Sequence, residues 1–212
     1  MNPKQTFYEK QAETIIKQLS KRQMKGYYCP TRQNAAETAM SLTAADTTVA
    51  FGGSMSLSES GVMDALKART DIRLLDRSLA KSPEEVRQVY LDSFGADTNF
   101  MSTNAITLDG QLVNIDGNGN RAAALIYGPA QVILIAGMNK VVPTVEDAFR
   151  RVRNTATPPN CLRLNINTPC AATGVCADCL SENCICNQIV ITRHSKTADR
   201  IKVLLVGEEL GY

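Results

Sequence analysis

The chain has 212 residues, 44% of them hydrophobic and 21% charged, enough to bury one substantial core. Its 23 basic and 21 acidic side chains are interleaved and sum to +2, which argues against a nucleic-acid partner. No apolar run approaches the roughly 20 residues that span a bilayer, and the N-terminus lacks an apolar core of signal-peptide length, so the expected setting is cytoplasmic, away from membranes. Seven cysteines in such a compartment point to metal or redox use rather than a disulfide framework.

Tyr8, Ala12, Ile15 and Leu19 recur at helical spacing, so residues 1–25 are read as an outer or oligomerising amphipathic helix. Residues 26–212 are read as a single α/β domain. Tyr27, Tyr28 and Cys29 make a short strand, followed by an Ala-rich helix over residues 31–42. A strand at residues 48–51 then breaks at Gly52, Gly53 and Ser54, and Ser56 with Glu59 has capping-box spacing into a helix carrying Val62, Met63 and Leu66. A further short strand covers residues 72–75. Ser82, Pro83, Glu84 and Glu85 open another helix, which runs to about Phe94.

Extended runs follow at residues 99–102, 105–108 and 111–115, the last two joined as a hairpin across Asp109 and Gly110. Residues 132–136, VILIA, form a continuous apolar run that suits a central strand buried on both faces. Thr144 and Asp147 start a helix ending near Asn154. Residues 158–187 show little periodicity and hold most of the cysteines, a length of irregular chain that something functional ordinarily organises. Two strands, residues 189–192 and 203–206, close the chain.

Three constellations can carry chemistry. Cys170, Cys176, Cys179, Cys184 and Cys186 are spaced C-x5-C-x2-C-x4-C-x-C, close enough to converge on zinc or an iron–sulfur cluster. The same thiols also suit a reversible redox pair at Cys176 and Cys179, or no chemistry at all. Cys29 and Cys161 read as packing residues, and the single histidine, His194, leaves no room for a histidine-rich metal site. The second constellation is the turn Gly52, Gly53 and Ser54 between a strand and a helix, where backbone N–H groups can meet an anion or merely form a tight turn. The third gathers Asn104, Asn114, Asp116, Asn120 and Arg121, with Arg121 placed to pair an anionic substrate and Asp116 available as a base. Its plainer reading is a glycine turn capped by Asp and Asn. Lys140, after the predicted central strand, is expected on the same side of the sheet.

The segments GGSMSL (52–57), STNAITLDGQLVNIDGNGNR (102–121), GPAQVILIAGMNKVVP (128–143), RLNINTPCAATGVCADC (163–179) and VLLVGEELGY (203–212) resemble the lactate-utilisation (LUD) domain family, in a short form with a cysteine motif. That resemblance covers most of the chain and implies a bacterial or archaeal protein with an open, mostly parallel α/β sheet and flanking helices. It implies likeness to the sugar-phosphate isomerase, glucosamine-6-phosphate deaminase and CoA-transferase fold. Some family members are encoded beside iron–sulfur oxidoreductase subunits needed for growth on L-lactate. Two functions are therefore expected to compete. One is an accessory or redox-linked component of lactate or organic-acid utilisation that binds a small anion, with an iron–sulfur oxidoreductase subunit as partner and homo-oligomers allowed. The other is a transferase or isomerase acting on a phosphorylated or CoA-linked substrate, its cysteines closing a metal-stapled loop.

Overall fold

A computed structural model describes residues 2–212. The chain begins with α1 (Pro3–Lys21), β1 (Lys25–Cys29), α2 (Arg32–Ser41), β2 (Thr47–Phe51), α3 (Met55–Glu59), α4 (Val62–Ala68), β3 (Ile72–Leu75) and α5 (Pro83–Ser93). It continues through β4 (Thr98–Met101), β5 (Ala105–Thr107), β6 (Leu112–Asp116), α6 (Asn120–Ile126), β7 (Gln131–Gly137), β8 (Val141–Val142) and α7 (Val145–Arg151). The last elements are α8 (Thr157–Arg163), α9 (Pro169–Thr173), β9 (Gln188–Thr192) and β10 (Ile201–Val206). Among the described residues, no helix is long and apolar enough to cross a membrane.

This is an α/β fold with a large parallel sheet flanked by helices, as the sequence predicts. The sheet has six strands in the order β1-β10-β7-β4-β2-β3, every neighbouring pair parallel. A second sheet, β8-β5-β6-β9, grows from the carboxyl ends of β4 and β7. The apolar run 132–136 lies in β7, in the sheet interior, with Val132 and Leu134 in one core cluster and Ile133 and Ile135 in the other. β10 divides the same way, Val203 and Leu205 against Leu204 and Val206. Alternating directions with both faces buried explain why these strands are apolar at every position. The face formed by Ala12, Ile15 and Leu19 of α1 closes one cluster, and Ala35, Ala39, Leu57, Val62 and Leu66 close the other.

Local signals place several elements. Ser82 caps α5 by accepting from Glu85 N, and Thr144 caps α7 by accepting from Asp147 N. The hairpin at Asp109 and Gly110 forms between antiparallel β5 and β6, with Gly110 at φ +84°. Two expectations change. The cap preceding Val62 and Leu66 is not Ser56. Ser54 caps α3 through Leu57 N, Gly61 at φ +75° starts α4, and Glu59 instead accepts from Gly211 N. The stretch after Asn154 is also helical: a π-helical turn, Val152–Ala156, joins α7 to α8. Pro158 and Pro159 sit in the first turn of α8, where a missing N–H costs nothing. That wider turn lets two prolines follow a helix without ending its direction.

Gly137 ends β7 where the C-terminal segment crosses it. A Cβ there would lie 2.6 Å from Leu210 N and 2.7 Å from Glu208 O. Backbone cannot yield as a side-chain tip does, so Gly137→Ala is expected to lower stability by about 1–3 kcal/mol in urea unfolding. An unchanged midpoint would show that the segment is not held against the strand end.

Candidate functional site

The strand order reverses at β2. The chain leaves β2 towards β3 on one side and returns through α5 to β4 on the other. Loops after β2 and β4 therefore diverge at their carboxyl ends, the geometry that opens a ligand crevice in parallel α/β sheets. A cavity of about 340 Å³ occupies this place, lined by Gly53, Ser54 and Ser56 after β2, Ser102 to Asn104 after β4, and Lys140 after β7. The turn after β6 adds Asp116, Asn120 and Arg121. The three loops predicted to converge do share this cavity.

Lys140 lies at its floor and is 5% exposed. Its Nζ donates to Ser56 Oγ at 2.7 Å and to Ser102 Oγ at 3.0 Å. Each hydroxyl passes its own proton to a backbone carbonyl, Ser56 to Leu210 O at 3.1 Å and Ser102 to Thr103 O at 3.2 Å. Among the described residues, no carboxylate lies within ion-pair distance of this amine. Burial first, then the charges of Arg151 and Arg121, bring its pKa down to about 7, while Glu59 pulls the other way.

Arg121 is a framework residue of the same wall. Its guanidinium donates to Ser102 O at 3.0 Å, Asn104 Oδ1 at 2.8 Å, Ile115 O at 2.9 Å and Asn114 Oδ1. Its Nε is 3.8 Å from Asp116 Oδ2, with the two side chains 15% and 9% exposed. Burial pushes the guanidinium's pKa below its usual range, with Asp116 opposing. The carboxylate of Asp116 accepts from Gly119 N at 3.1 Å and Ala122 N at 2.9 Å, so it caps the entry to α6. Gly119, at φ +81°, makes that entry. Both oxygens of Asp116 are thus engaged by backbone N–H groups, and Arg121 acts as a fixed positive charge rather than a free fork. Asn114 lies behind it, fully buried, its Nδ2 without a hydrogen-bond partner among the described residues. Gly52 stands outside the cavity lining, against the aliphatic stem of Arg121.

Part of the lining was not foreseen. Thr157, Asn160, Arg163 and Leu164 from α8 and its end, Ile185 from the cysteine segment, and Arg77 after β3 all face the cavity. A Pro-Pro helix start at Thr157 was the one sequence signal for part of it. Residues 158–187 thus reach the crevice through Asn160, Arg163, Leu164 and Ile185. Ile185 Cα comes within 3.2 Å of where a Gly117 Cβ would stand, and Asn187 Nδ2 donates to Gly117 O at 3.1 Å.

Within this segment one pair of thiols is in contact. Cys170 Sγ lies 3.7 Å from Cys161 Sγ, which joins α9 to α8 and brings in a cysteine taken as packing. Cys179 is held below the usual thiol range by Ser181 first, whose Oγ lies 3.4 Å from its Sγ, with Cys184 acting in the same direction. Cys186 Sγ is 3.6 Å from Thr157 Oγ1, and burial raises its thiol to about 11, with Cys184, Cys176 and Cys161 as further neighbours. All seven cysteines are free. Among the described residues, no three His, Cys, Asp or Glu side chains form a group arranged to hold a metal ion.

Fold and site together define an α/β protein with a crevice at the carboxyl ends of a parallel sheet, lined by more basic than acidic side chains. The chain belongs to the LUD domain family, whose profile matches residues 12–206. A solved DUF162 family protein from Deinococcus radiodurans is 11% identical, with a TM-score of 0.52 over 94% of this chain and 98% of that one, a likeness of fold. The eIF2B delta structure from Chaetomium thermophilum is 19% identical, with a TM-score of 0.35 over 54% of this chain and 49% of that one. A search of curated proteins returns no match.

Proposed function

We propose that the crevice holds a small organic anion and that this LUD domain serves organic-acid utilisation in the cytoplasm, its cysteines linking it to a redox partner such as an iron–sulfur oxidoreductase subunit. The observation that carries this reading is Lys140, a buried amine without an acidic partner at the floor of the cavity. Among the lining side chains, Lys140, Arg121, Arg77 and Arg163 stand against the one carboxylate of Asp116, so an anion has favourable charge to meet. A volume of 340 Å³ lies at the small end of ligand sites, which run from about 300 to 1,000 Å³, and favours a short carboxylic acid over a whole CoA ester.

The test is thermal unfolding with L-lactate, other short carboxylates, inorganic phosphate, sugar phosphates and CoA esters. A carboxylate present at 100 times its Kd should add about 2.7 kcal/mol of stability, a rise of roughly 5–10 °C for a chain of this size. The effect should vanish in Lys140→Met. Stabilisation by phosphate esters or CoA esters alone would instead favour a transferase or isomerase. For the cysteines, a thiol pair closing to a disulfide releases two electrons and two protons to an acceptor, the simplest link to a redox partner. Protein purified without air and assayed for iron and zinc distinguishes this from metal binding. Near-stoichiometric metal would replace the thiol couple with a metal site, and metal-free protein whose thiols oxidise in pairs would support the couple.

A further inference from the structure

We propose that Lys140 forms a covalent imine with a short 2-oxo carboxylic acid bound in the crevice. The inference rests on the anion-binding reading above and names the substrate class of that site. An ammonium group has three N–H donors, and among the described residues two acceptors meet it, the hydroxyls of Ser56 and Ser102. Those hydroxyls come from different elements, α3 and the loop after β4, and each is itself anchored on a carbonyl, so the nitrogen is held from two sides. The remaining direction carries either a third proton or, in the neutral amine, a lone pair. The charged groups acting on Lys140 are Arg151 from α7, Arg121 from α6 and Glu59 from α3, two cations against one acid. With burial, they leave much of the amine unprotonated near neutral pH, and the unprotonated amine is the nucleophile.

Surface lysines have neither property. They are solvated, and near neutral pH they are almost wholly charged. The chemistry that uses a buried, oriented, partly neutral amine among excess positive charge is attack on a carbonyl carried by an anion. Nitrogen donates its lone pair to the keto carbon, and the carbonyl pair moves onto oxygen, which takes up a proton. Loss of the second N–H proton and departure of that oxygen as water leave the C=N bond. The overall change is amine plus ketone to imine plus water, with nothing oxidised or reduced. Ser56 and Ser102, already hydrogen-bonded to the nitrogen, are placed to relay the protons.

The experiment uses the full chain with pyruvate as the 2-oxo probe and L-lactate as the matching acid without a ketone. Each is incubated with protein and sodium cyanoborohydride, followed by intact mass and peptide mapping, with thermal unfolding run in parallel. The expected result is one reduced pyruvate adduct on the peptide bearing Lys140, none with lactate, and at least a tenfold loss of adduct in Lys140→Arg. The map of the unsubstituted chain locates the adduct whether or not that variant folds. Stabilisation by both acids without an adduct overturns the imine and leaves anion binding standing. Adducts scattered over other lysines and persisting in Lys140→Arg also overturn it. Absence of both stabilisation and adduct overturns the imine together with the anion-binding reading.

Discussion

Lys140→Met is expected to make the protein more stable than the unsubstituted chain at pH 6, with the advantage shrinking steadily as pH rises above 7. In the folded state Lys140 titrates near 7, against 10.5 for an unhindered lysine. Between those values the unfolded chain binds more protons than the folded one, so the unsubstituted protein gains stability as pH rises, by up to about 1.4 kcal/mol per pH unit. Below the folded value both states carry the proton and the penalty of a buried ammonium without a counter-charge is felt in full. Above the unfolded value it disappears. Met has a similar length and no charge, and the Ser56 and Ser102 hydroxyls keep Leu210 O and Thr103 O as acceptors, so little is orphaned. Urea unfolding of both proteins at pH 6, 7, 8 and 9 measures the difference directly. A difference independent of pH would mean that the amine keeps its proton across the range. If the slope is found and carboxylate binding is lost in the same variant, Lys140 is a residue retained for function at the expense of stability.

Much of the architecture was legible because it rests on local rules. The run 132–136 announced a strand with no solvent face, and β7 is that strand. Ser82 and Thr144 read as caps because capping depends on atoms within three residues. Ser56 shows where such reasoning fails. Its spacing to Glu59 satisfies a capping box, yet its hydroxyl is drawn to Lys140, 84 positions away in sequence, and Ser54 takes the cap. The partners of Arg121 were similarly hidden. Arginine at a helix start opposes the dipole, which rightly demanded a reason, but that reason is a set of carbonyl and amide oxygens from two separate segments, the loop after β4 and β6. The helical wall after Asn154 was missed because paired prolines ordinarily end a helix, and only the π turn before them restores its direction. Cys161 had no partner in any spacing pattern. It meets Cys170 because α8 and α9 fold back on each other.

Arg121→Met is expected to cost about 3–5 kcal/mol, the range for removing one partner of a buried charged network. The guanidinium satisfies Ser102 O, Ile115 O, Asn104 Oδ1 and Asn114 Oδ1, and its loss leaves four acceptors short of a donor in a wall that water reaches poorly. Asn104 Oδ1 still accepts from Ile115 N at 3.0 Å, and Asp116 still caps α6, so the turn itself should survive. The damage should therefore concentrate where the loop after β4 meets β6. That loop carries Ser102, one of the two hydroxyls that orient Lys140, so carboxylate binding should weaken together with stability. Arg121→Lys separates the two roles. It keeps the positive charge but cannot reach four acceptors with one nitrogen, so part of the binding should return while most of the stability loss remains. Urea unfolding and carboxylate titration of both variants give the comparison. A loss below 1 kcal/mol in Arg121→Met would show that water already serves these acceptors. Full binding by Arg121→Met would show that the crevice draws its charge from Lys140 and the rim arginines alone.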